Sequence, residues 1–80
     1  MFKVIKNAEQ VEQERYDAAA ESVRSQRDQK LGSTDWRVTK ATETGVSLGS
    51  GWVAYRQALR DITDQTGFPY DVEWPTEPTG

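Results

Sequence analysis

Four large apolar residues at helical spacing constrain this chain more than any other feature. Trp52, Tyr55, Leu59 and Ile62 fall at i, i+3, i+7 and i+10, which is one face of a helix. Ser50 stands where an N-cap belongs, Gly67 can end the helix, and Pro69 bars its extension. The spacing predicts a helix over 50–66, with Phe68 folding back towards Ile62 and Thr63 through a glycine C-cap. Arg56, Arg60 and Asp64 follow one another at intervals of four on a neighbouring face, so Arg60 and Asp64 can pair.

That apolar face needs a cover, and a second helix is legible over about 7–30. Asn7 reads as its N-cap, with Glu9 in the first turn and Gln10 at the third helical position. Ala8, Val11, Arg15, Ala19 and Val23 recur at spacings of three and four, with Tyr16 and Ala20 widening the stripe. The stripe is thin, mostly alanine and valine, on a background of strong helix formers. Glu21–Arg24 and Arg24–Asp28 can form ion pairs along it. Gly32 is read as a left-handed stop. Ahead of this helix, Phe2-Lys3-Val4-Ile5 is a short apolar stretch, either a strand or a packed arm.

The segment between the helices, 31–50, is expected to be irregular or to hold short β-structure. Ser33-Thr34-Asp35-Trp36 is turn-rich, Arg37 to Thr44 is threonine-rich around Val38, and Gly45, Gly49 and Gly51 interrupt any long element. Beyond Gly67 the chain is expected to be an extended tail, because Pro75 and Pro78 favour polyproline-like geometry. The fold expected is therefore mainly α, a single domain of residues 1–80. A two-helix hairpin is closed at its ends by the Trp36 loop and the Trp74 tail.

Composition narrows function chiefly by exclusion. With 80 residues and 35% hydrophobic content, the domain can bury only a small core, so its three Trp, three Tyr and two Phe must supply much of it. Without Cys or His there is no disulfide, no thiolate or imidazole metal ligand and no histidine base. The acidic pairs Asp61/Asp64 and Asp71/Glu73 read as solvated surface, and no Gly-Lys-Ser/Thr follows the glycines as a phosphate loop requires. Catalytic residues, metal and cofactor are all expected to be absent. Residues 1–40 carry eight Lys/Arg against seven Asp/Glu, for +1, and residues 41–80 two against six, for −4. Neither half has the basic excess of a nucleic-acid binder. No apolar run suits a signal peptide or a membrane span, so a soluble protein that stays where it is made is expected. A small domain with no staples commonly leans on a partner or on self-association.

The aromatic residues and the two arginines of the second helix are the candidates for binding. Trp52, Tyr55 and Phe68 are read as core. Trp36 and Trp74, in loop and tail, suit partner contact about as well as packing, since tryptophan so often carries interface energy. The Arg56/Arg60 row can meet a partner's acidic groups, or it can stack on rings and pair with Asp64. Trp36, Arg56, Arg60 and Trp74 are the candidate partner-binding residues.

Ordered words in the chain then point to a family. Arg24-x-x-Arg27-Asp28-x-x-Leu31-x-x-Thr34-Asp35-Trp36 is followed by Trp52-x-x-Tyr55-Arg56-Gln57-Ala58-Leu59-Arg60-Asp61-Ile62. Gly67-Phe68-Pro69 and Glu73-Trp74-Pro75-x-x-Pro78 complete the set. From Arg24 to Pro78 the chain resembles the phage tail assembly chaperone family. The resemblance implies a non-enzymatic protein that binds a phage tail or tail-fibre polypeptide and helps it fold, trimerise or attach, in the host cytoplasm during infection. Its rivals are a small structural subunit retained in the virion tail and a host-directed protein that inhibits a host enzyme. Lys30 stands where many members carry a second leucine. No large N-terminal domain precedes the motif, so any grip that domain provides is expected from residues 1–23.

Overall fold

The computed structural model describes residues 7–79; the Phe2–Ile5 stretch lies outside them. Three helices follow in order, α1 (Ala8–Gly32), α2 (Asp35–Thr44) and α3 (Ser50–Arg60), then a 3₁₀ turn at Ile62–Asp64. Among the described residues there is no strand.

α1 starts as its sequence dictates. Asn7 and Gln10 exchange side-chain-to-backbone hydrogen bonds of 2.8 and 3.1 Å, a reciprocal capping box. Its end departs from expectation. Gly32 remains helical, and Ser33 follows in right-handed geometry instead of a left-handed glycine stop. Two adjacent hydroxyls account for this: Ser33 Oγ donates to Lys30 O at 2.8 Å and Thr34 Oγ1 to Leu31 O at 2.9 Å. They satisfy carbonyls of the last turn that a left-handed glycine cap would otherwise serve.

The chain then bends and is helical again over Asp35–Thr44, which corrects the expectation of an irregular or short-β segment at 31–50 there, while 45–49 stays irregular. The threonines that suggested extended structure hydrogen-bond within the helix, Thr42 Oγ1 to Val38 O (3.1 Å) and Thr44 Oγ1 to Lys40 O (2.8 Å). β-propensity mostly reflects fit to a sheet surface, and no sheet exists among the described residues to reward it. The glycine stop operates at Gly45, where φ is +70° and its N–H donates to Ala41 O at 3.0 Å. Trp36 is thus a residue of α2 and not of a loop.

α3 is shorter than the predicted 50–66. Gly49, at φ +99°, takes the N-cap position expected of Ser50, and the α-helix ends at Arg60. Asp64 falls in the 3₁₀ turn, so the i, i+4 relation to Arg60 is lost, and Arg60 instead donates to Gln57 Oε1 at 3.0 Å. Gly67 is needed for closeness, not for handedness. The N–H of Asp71 donates to Gly67 O at 2.8 Å, and a Cβ on Gly67 would sit 2.0 Å from the Asp71 carbonyl oxygen.

The hairpin forms because α3 and the 3₁₀ turn lie against the C-terminal half of α1. Ile62 of the turn and Ala20 and Val23 of α1 are buried, and Trp52, Tyr55 and Leu59 form a buried cluster on α3. Leu31, Leu48 and Trp74 pack around the rim of this cluster. Phe68 meets α1, its ring edge-on to Tyr16 with centroids 6.4 Å apart and the Arg24 guanidinium 5.8 Å from its centre. Residues 72–79 carry no regular secondary structure but are fastened. The Gln65 amide donates to Glu73 O (2.8 Å) and accepts from Glu73 N (2.7 Å), and Pro78 lies over Gly51. The resulting shape is long, 63 × 27 × 16 Å. Its radius of gyration, 17.9 Å, far exceeds the roughly 12 Å of a compact chain this size.

Candidate functional site

The bend between α1 and α2 is organised by one arginine of α3. Arg56 Nη1 donates to Leu31 O at 3.1 Å and to the Thr34 hydroxyl, while Nη2 pairs with Asp35 Oδ1 at 2.9 Å. A cation on the last carbonyls of α1 also opposes the negative end of that helix. Thr34 is 2% exposed, so its hydroxyl requires partners, and Arg56 and Leu31 O supply them. The Arg56 side chain is 14% exposed; it is tied into the junction by three bonds.

A second arginine joins α2 to α3, and sequence reasoning passed over it. The Arg37 guanidinium lies 4.5 Å from the centre of the Trp36 ring and 3.9 Å from that of Trp52. Trp52 in turn meets Tyr55 edge-on at 5.9 Å. Nothing local in Trp36-Arg37 marks this role, because it depends on how α2 crosses the start of α3. Gln65 was missed for the same reason, its partner lying eight residues on in the tail.

Trp36 itself is 54% exposed and forms one wall of a groove between α2 and the loop that follows it. Arg37, Lys40, Ala41, Thr44, Val46, Ser47 and Leu48 line the remainder, around a volume of about 170 Å³. Its surface is predominantly apolar, and the two charged residues on it, Arg37 and Lys40, are both cationic. Val46 is 67% exposed at the open edge.

The other candidates sit differently. Trp74 is half-buried against Trp52, Tyr55 and Leu59, with Lys30 Nζ 5.3 Å from its ring centre. Lys30 therefore reaches the rim of the core as an aliphatic stem with a charged end. Arg60 is exposed at the end of α3. Arg56 thus sits at the bend between α1 and α2, Trp36 stands on α2, Trp74 packs on α3 beside Lys30 of α1, and Arg60 lies one turn beyond Arg56.

The site holds little titratable chemistry. Burial, helped by the negative charge of Glu77, pushes the Tyr55 phenol above its ordinary 10.0. Asp61 accepts from the Gln57 amide at 3.0 and 3.2 Å. Among the described residues no three acidic side chains gather as a metal site, and no helix is long and apolar enough to cross a membrane.

Against known proteins, one family matches, described as phage tail assembly chaperone protein, over residues 20–79. The match opens at Ala20, the first buried residue of α1, and takes in the rest of α1, then α2, α3, the groove and the tail to residue 79. No curated protein and no solved structure matches the chain.

Proposed function

Because the chain belongs to the phage tail assembly chaperone family, we propose that it binds a phage tail or tail-fibre polypeptide in the infected host cell. It covers that polypeptide's exposed apolar surface until assembly and catalyses no reaction of its own. The family match over three quarters of the chain is the observation that carries this reading. A half-exposed tryptophan beside an apolar groove supports it, since large aromatic side chains at a desolvatable hollow are where binding energy concentrates. Among the four candidates, Trp36 makes the direct contact and Arg60 adds to it from the end of α3. Arg56 and Trp74 act by holding the bend and the rim of the core, each already committed to internal partners.

Coexpression with a tail-fibre polypeptide of the same phage tests the proposal. The expected result is more soluble fibre and copurification of the two chains, with no stoichiometric copies in purified virions. Unchanged fibre solubility without copurification would overturn it.

A further inference from the structure

The groove at α2 has a character of its own within this molecule. The chain carries a net charge of −3, yet both charged residues on the groove, Arg37 and Lys40, are cationic. Asp35, the acid closest in sequence to Trp36, is drawn away into the pair with Arg56. Lys40 has no ion-pair partner among the described residues. The volume, about 170 Å³, is smaller than the roughly 300–1,000 Å³ of pockets that enclose whole small molecules. It suits one side chain.

We propose that the groove between α2 and the 45–49 loop seats a single large apolar side chain of a partner polypeptide whose neighbouring residues are carboxylates. The apolar side chain lies along Trp36, Ala41, Val46 and Leu48, and the carboxylates meet the ammonium of Lys40. This gives the chemistry of the segment recognised and rests on the reading of the protein as a binder of tail polypeptides. Charge at the rim selects among partners and speeds their encounter, while the buried side chain supplies most of the affinity.

The test uses the full chain, isotope-labelled, and two acetylated and amidated probe peptides, Gly-Glu-Phe-Glu-Gly and Gly-Lys-Phe-Lys-Gly. The acidic peptide is expected to shift the Trp36 indole signal and the amides from Lys40 to Leu48, and to bind about fivefold or more tightly than the basic one. Lys40→Glu, an exposed change that leaves the thermal melt unaltered, is expected to abolish or reverse that preference. Equal binding of both peptides, no binding of either, or shifts centred away from the groove would overturn the assignment. So would light scattering that finds a dimer which Val46→Asp dissolves, because the groove would then be covered by a second copy. Coexpression separates the two levels. If Val46→Asp and Lys40→Glu capture the fibre polypeptide as well as the parent does, the groove assignment falls and the function stands. If the parent captures none but the peptide preference holds, the function falls and the groove chemistry stands.

Discussion

α2 and α3 are almost equal in length, 10 and 11 residues, and they are held in place by opposite means. α3 buries Trp52, Tyr55 and Leu59, whereas no residue of α2 is buried. α3 is fixed by apolar area removed from water. α2 is fixed at its edges: by Asp35 on Arg56, by Arg37 between two tryptophans, and by Gly45 at its end. A helix held only at its edges keeps a face available, and that face carries the groove. The frame and the offered surface are thus separate helices of one small hairpin.

The sharpest way to break this contrast is to empty the α3 side. Leu59 is fully buried, and Leu59→Ala is expected to cost about 2–5 kcal/mol. In a domain this small that removes most of the folded population, so a urea titration should show α2 and α3 lost together. Trp74→Ala strips only the rim of the same cluster and should cost on the order of 2 kcal/mol, less than a fully buried tryptophan, read as a lower melting temperature. Arg56→Met keeps the aliphatic stem and removes the junction bonds, at about 1–2 kcal/mol. Its signature is local: amide exchange should accelerate in α2 while the buried turn of α3 stays protected. Trp36→Ala should move stability by no more than about 1 kcal/mol, chiefly through the lost stack with Arg37, while fibre capture falls clearly. Equal losses of stability for Trp36→Ala and Trp74→Ala would erase the distinction between the two helices.

The smallest effect is one of pH. A phenol whose folded pKa is raised binds its proton more tightly in the native state than in the unfolded chain. Its contribution is complete below 10.0 and is lost as pH climbs through the higher folded value. Chemical denaturation should therefore show an alkaline decline in stability above pH 10, and Tyr55→Phe should flatten it.

The same contrast explains what was legible beforehand. Large side chains at i, i+3 and i+7 announce a buried helical face whatever lies around them, so α3 and its partner α1 were readable, down to the Asn7–Gln10 cap. α2 was not, because its helicity is decided by Arg56 and Trp52, contributed from the far side of the bend. Threonine-rich sequence between glycines suggested extended chain, and only the tertiary contacts overrule it. Trp36 was singled out for its residue type. That Lys40 and Val46 share its groove follows from the loop geometry after Gly45, which no periodicity in the sequence records.

The elongated outline has a consequence for how the molecule behaves in solution. From Asn7 to Arg15 every residue but Val11 is exposed, and α1 first meets the body at Tyr16, against Phe68 and Tyr70, so its first two turns project as a rod. Such a rod drags on water without adding mass. A radius of gyration of 17.9 Å belongs, by the scaling for compact chains, to roughly 250 residues, and this chain weighs 9.1 kDa. A single copy should therefore leave a sizing column early, at the position of a globular protein at least about twice its mass, and should tumble faster about its long axis than across it.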